Sequence, residues 1–174
     1  MKESSRFASL DDLESLYFLR KEAISELKNK RGGEVLLNME SFSEDSVEKF
    51  SYWFKSDSHR VFAGLFGDAV VAYGILEFLN TNDNQIIASI KEIFVLKDAR
   101  SVGVGESVIA SMTNEAIEQN AVGIDSFALP GDRETKNFFE TQGMVARLIH
   151  VYRSLGANLK LFAFPNRRPF FNKS

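Results

Sequence analysis

The chain of 174 residues contains no cysteine. That excludes a disulfide framework, a thiolate nucleophile and any cysteine-based metal site, and it suits a reducing cytoplasm. A basic excess is also missing: 21 Lys and Arg against 24 Asp and Glu leave a formal charge of −3, which argues against a dedicated nucleic-acid binder. No uninterrupted apolar run approaches the roughly 18 residues that a membrane span needs. The opening stretch MKESSRFASLDDLESL has an early lysine but neither an apolar core segment nor a small-residue cleavage site, so no signal peptide is expected. Histidine is scarce. His59 precedes a strand and His150 lies within one, far apart in sequence, and both read as structural rather than as metal ligands.

At 44% hydrophobic, with 16 Phe, the chain supports one domain over residues 1–174 with a phenylalanine-filled core. The expectation is a soluble, cytoplasmic protein. Ser5 to Ala8 reads as a short strand. Asp11 and Asp12 open a helix whose inward row is Leu10, Leu13, Leu16, Tyr17, Ile24 and Leu27, and KRGGE (Lys30 to Glu34) ends it. A second helix is expected over Ser43 to Lys55, with Val47, Phe50 and Phe54 inward.

Two apolar runs then flank Gly67-Asp68 as a hairpin, and TNDNQ turns the chain into the strand Ile86 to Leu96. A helix over Val102 to Asn120 places Val104, Val108, Ile109, Met112, Ala116 and Ile117 inward. The strand Ala121 to Leu129, a short helix over Arg133 to Gln142 and two alternating segments, MVARLIHVYRS and NLKLFAF, complete the order β-α-α-β-β-β-α-β-α-β-β. The fold class is mixed α/β, a central sheet flanked by helices.

The junction LKDARSVGVGES (Leu96 to Ser107) places Arg100-x-x-Gly103-x-Gly105 where a strand hands over to a helix. A helix N-terminus presents unpaired N–H groups that attract anions. Glycine lets phosphate oxygens approach those groups, and an arginine adds a forked donor. Such a stretch suits a pyrophosphate, or it is a glycine turn with no ligand. There is no GxxxxGK[ST] loop. A dinucleotide fingerprint fits only by half, because Val108 replaces its third glycine and Asp125 falls inside the next strand.

IFVLKDARSVGVGESVI resembles motif A of the GNAT superfamily of N-acetyltransferases, and KNFFETQGM (Lys136 to Met144) is similar to that family's second signature. The element order matches over nearly the whole chain. The resemblance implies a mostly antiparallel central sheet with one splayed strand pair, between Ile86–Leu96 and Ala121–Leu129, and acyl-CoA in the wedge. The pantetheine arm would bond to the backbone of Ile93, Phe94 and Val95. The pyrophosphate would lie on Arg100, Ser101, Val102, Gly103, Val104, Gly105 and Glu106, the Glu106 side chain pointing away. Asn137 and Phe139, with Phe138, would line the cofactor from the second helix.

Glu92 is the candidate general base, acting through a water; the alternative is a strand glutamate paired with a lysine. Ser89 stands where some members carry an acid. Phe139 stands where the family often has a tyrosine that protonates the departing sulfur. Tyr152 and Tyr73 are the conceivable substitutes, though both read first as core or rim residues. Asp132, before Arg133, is first a helix cap.

The implied activity is acetyl transfer from acetyl-CoA to a primary amine, a small molecule or peptide, by direct attack, with no metal. The alternatives are an acyl-CoA-binding sensor with little turnover and a nucleotide-binding regulatory domain. Neither nucleic acid nor membrane is an expected partner. The basic, Phe-containing tail reads as a docking or homodimer contact. Glu34, Glu40 and Glu44 form a solvated acidic face, although such charges also attract a cationic amine.

Overall fold

The computed structural model describes residues 2–38, 45–149 and 151–152. Its strands are β1 (Glu3–Phe7), β2 (His59–Phe66), β3 (Ala69–Asn80), β4 (Ile86–Val95) and β5 (Ala121–Ser126). The helices are α1 (Leu13–Lys28), α2 (Gly33–Leu37), α3 (Ser46–Lys55), α4 (Val104–Glu118) and α5 (Arg133–Thr141). Short 3-10 turns precede α1 and follow β4. The sheet runs β1-β2-β3-β4-β5. Every neighbouring pair is antiparallel except β4 and β5, which run parallel.

Alternation along the strands builds two cores. Phe62, Ala72, Leu76, Ala88 and Ile90 face Val104, Val108, Met112 and Phe139 of α4 and α5. Their neighbours Val61, Tyr73 and Ile75 point the other way, onto Leu16, Leu19, Phe50 and Trp53 of α1 and α3. With helices on both faces, β3 is apolar almost throughout.

The hairpin at Gly67 and the mixed, mostly antiparallel sheet appear as expected. Three details differ. KRGGE does not only stop α1: Gly32, with φ of +83°, turns the chain into α2. Val47, Leu10 and Ile117 are exposed rather than inward, because the buried row of α3 is Ser46, Phe50 and Trp53, and α1 begins only after Leu10. The described part of MVARLIHVYRS carries no strand; alternation needs a partner edge before it becomes β structure. His150, Glu40, Glu44, the start of the expected second helix and NLKLFAF with the basic tail lie outside the described residues.

β1 is pinned to the start of α1 by a forked ion pair, Arg6 Nη1 and Nη2 donating to Asp12 at 2.7 and 2.8 Å. The Ser9 amide adds a bond of 2.7 Å. The Arg6 hydrogen bond outweighs burial and, with the Ser9 amide, brings the Asp12 carboxyl down to about 2. A carboxyl depressed in the folded state contributes stability above its ordinary range, and that contribution is lost as the pH falls through the folded value. Discounted for the half-exposed Arg6, Asp12→Asn is expected to cost about 1–2 kcal/mol at neutral pH. Urea melts across a pH series should show the variant losing less stability than the parent between the ordinary carboxylate range and about 2.

Candidate functional site

Strand β4 serves two neighbours unequally. It pairs with β3 from Ile86 to Val95, but with β5 only from Ile86 to Ile90. Ser126 Oγ donates to the Ile90 carbonyl at 3.3 Å, just where the pairing stops. Beyond it β5 departs and a wedge opens. The Leu96 amide bonds to the Val71 carbonyl at 2.9 Å, which fixes the parity of the ladder. Phe94 therefore also directs its backbone to β3, whereas Ile93 and Val95 turn N–H and C=O toward the wedge.

A bulge interrupts the ladder. Ile75 lies opposite Glu92 and Leu76 opposite Ile90, so Lys91 is the extra residue. Without it, Ile90 and Glu92 would share a face. With it, Ile90 stays beneath α4 while Glu92 turns to α1.

There Glu92 meets Arg20, a fully buried arginine on the inner face of α1. Nε donates to Oε2 at 3.0 Å and Nη2 to Oε1 at 2.9 Å. The Tyr73 hydroxyl donates to Oε2 at 2.8 Å, and the guanidinium lies 5.4 Å from the Trp53 ring centroid. Burial, and then the Glu92 charge, hold the Tyr73 phenol well above its ordinary range. Glu92 is thus paired with an arginine rather than a lysine, and both its oxygens are engaged. A carboxylate so held must first shed strong donors before accepting a substrate proton.

The loop after β4 has left-handed backbone at Ser101 (φ +63°) and Gly103 (φ +89°). The first helical bond of α4 runs from the Ser107 amide to the Gly103 carbonyl, which leaves the amides of Gly103, Val104, Gly105 and Glu106 without helical acceptors. A Cβ on Gly105 would lie 3.2 Å from the Phe138 ring and 3.3 Å from Val95 Cγ2. Loop, wedge and α5 therefore converge. Val104 is buried and offers only its backbone, and Glu106 points outward.

Arg100 does not turn to that helix start. Its Nε donates to the Val95 carbonyl at 3.1 Å, and its Nη2 meets Glu26 of α1 at 2.6 Å. Glu26 also holds Lys30 at 3.1 Å, and Lys30 holds Asp132 at 2.8 Å. This chain of charges joins α1 to both sides of the wedge. Burial works against the charged forms of Glu26, Lys30 and Asp132. Even so, Arg100 and Lys30 bring the Glu26 carboxyl below its usual range, and Lys30 and Thr135 do the same for Asp132. Lys30 is raised, despite burial, by Asp132 and Glu26. Asp132 also caps α5, accepting from the Thr135 amide at 3.2 Å. Beside this chain a groove of about 420 Å³ is lined by Lys30, Arg31, Leu129, Asp132 and Arg133.

The other sequence candidates are dispersed. Phe139 is buried against α4. Asn137 and Tyr152 are exposed, and Ser89 is buried. His59 is buried with Ser56 and Ser58 hydroxyls on Nδ1 at 2.8 and 3.1 Å. No three His, Asp or Glu side chains among the described residues converge as a metal site requires. Sequence reasoning missed Arg20, Glu26 and Lys30. Only Arg20 carried a signal, a charge falling within the apolar row of α1.

The model of the Acetyltransferase (GNAT) family matches residues 18–144. The chain belongs to the GNAT acetyltransferase family. Solved structures share its fold. A putative acetyl transferase from Pyrococcus furiosus is 21% identical, with a TM-score of 0.66 over 88% of this chain and 100% of the other. AAC(6')-Iy, solved in complex with a bisubstrate analog of CoA and acetylneamine, is 16% identical, with a TM-score of 0.69 over 88% and 99%. A transcriptional regulator from Bacillus halodurans is 17% identical, with a TM-score of 0.69 over the same shares. No curated protein matches the chain in sequence. Among the described residues of this GNAT chain, no helix is long and apolar enough to cross a membrane.

The Arg20–Glu92 pair gives a direct expectation. Arg20→Ala leaves a buried carboxylate uncompensated and should cost about 3–5 kcal/mol, read as a lower urea midpoint.

Proposed function

We propose that this GNAT acetyltransferase transfers an acetyl group from acetyl-CoA to a primary amine of a small molecule or peptide, by direct attack in a ternary complex in the cytoplasm. The observation that supports the reading most is the backbone of Ile93 and Val95, turned into a wedge that has lost its strand partner and that opens onto the start of α4. An extended amide-bearing arm fits such a strand edge. A diphosphate fits the amides of Gly103 to Glu106.

Acetyl-CoA supplies the acyl group as an activated thioester. The chain's own part is to align it, to exclude water with Phe138 and Val95, and to polarise the acyl carbonyl from an N–H of β4 near Val95. The amine approaches from the carboxyl ends of the parallel pair β4 and β5, where the groove beside Lys30 and Asp132 lies. Glu92 is spent on Arg20 and Tyr73, and Phe139 carries no proton. We therefore assign the proton of the amine, and the one that reaches the departing sulfur, to water.

That Glu92 is held by Arg20 and Tyr73, and that Phe139 carries no proton, favours a second reading, an acyl-CoA-binding sensor with little turnover. Titration calorimetry with CoA and release of free thiol in the presence of an amine panel separate the two. Heat with thiol release supports the transferase. Heat without release supports the sensor, and no heat defeats both.

Gly103→Val, at a φ of +89°, should weaken CoA at least about tenfold by displacing the loop that positions the helix amides. In the transferase, Glu92→Gln should lower the melting temperature yet keep kcat within about tenfold of the parent and leave the pH–rate profile unshifted, since no general base is removed. Loss of an acidic limb would restore Glu92 as the base.

A further inference from the structure

The Val95 carbonyl, one of the backbone acceptors facing the wedge, already has a partner within the chain. Arg100 Nε donates to it at 3.1 Å. The guanidinium is kept there by Glu26 at 2.6 Å and lies 5.6 Å from the Phe94 ring centroid. Glu134, the other carboxylate near it, is 3.8 Å away and exposed. Glu26 belongs to α1, outside the loop that carries the glycines, and is fixed in turn by Lys30 and through it by Asp132.

We propose that Glu26 is a positioning residue for cofactor binding: it holds Arg100 over the Val95 carbonyl, so that a CoA-type ligand must pull Arg100 away from Glu26 before the strand edge is free. The inference rests on the cofactor reading above. A diphosphate is the natural competitor, because it offers the guanidinium the same forked acceptor geometry as a carboxylate. Once Arg100 has moved, Glu26 is left to Lys30 alone, so binding in the wedge reaches the α1–α2 turn and the cap of α5. The position of α1 is thereby coupled to occupancy of the wedge.

The coupling is tested by titration calorimetry of CoA into the parent, Glu26→Gln, Glu134→Gln, Arg100→Ala and the Glu26→Gln/Arg100→Ala double variant. Glu26→Gln should tighten CoA about three- to tenfold in the parent, and by less than about 1.5-fold when Arg100 is absent, the signature of a pair acting together. Glu134→Gln removes an equal charge from the same neighbourhood and should change affinity much less, because an exposed charge at that distance is screened. Melting curves confirm that each variant is folded.

Three results overturn the inference while leaving the cofactor reading intact: Glu26→Gln binds no tighter than the parent, matches Glu134→Gln, or keeps its gain without Arg100. A folded parent that gives no heat with CoA defeats the cofactor reading instead, and this inference with it.

Discussion

The ladder between β4 and β5 ends at Ile90, and the remaining architecture is arranged around that ending. Two parallel strands that paired to their tips would satisfy one another and leave nothing to offer. Here β5 leaves early, while β3 holds β4 straight to Val95. A strand edge inside a domain is a liability unless something covers it. In this chain Arg100 covers one carbonyl, Phe138 and Gly105 close the space beside it, and the free amides of α4 stand at its mouth. The departing strand makes a site out of what would otherwise be sheet.

The bulge at Lys91 is the second constraint. It lets one strand face a dry core with Ile90 and, two residues later, present Glu92 to the opposite layer. The carboxylate is then fixed by Arg20, Tyr73 and the aromatic neighbours of α3. A buried ion pair of this kind is costly to desolvate and contributes little net stability, but it is severely damaged by loss of one partner. Its effect is to tie α1 to β4 on one face of the sheet, opposite α4 and the glycine-containing loop that leads into it. The chain of charges from Arg100 to Asp132 makes a second tie from α1, around the end of the wedge.

Much of this was legible in the residues. Repeats of three and four marked α1 and α4, the apolar runs around Gly67 marked the central hairpin, and Arg100-x-x-Gly103-x-Gly105 marked the helix start, because each signal is local. What was not legible has a common origin. Val47 and Ile117 fit an apolar row but face solvent, since the direction in which a helix docks is set by its partner. Glu92 was visible as an acid on the right strand, yet its burial and its pairing with Arg20 depend on a residue 72 positions away. Phe139 was correctly marked as unable to donate a proton, but nothing nearby in sequence said that it would pack beneath α4.

The sequence by itself determined the local pieces: a strand, a glycine-rich turn with an arginine, a helix start and, further on, a pair of phenylalanines. Each is made of covalent neighbours, and short-range sterics and hydrogen bonding suffice to specify them. Tertiary structure decided which groups are free to act. The parity of the β3–β4 ladder chose Ile93 and Val95 over Phe94, one extra residue turned Glu92 to the far layer, and α1 brought Glu26 onto Arg100. Hydrogen-bond parity and charge pairing are properties of elements already in contact, so no local pattern encodes them.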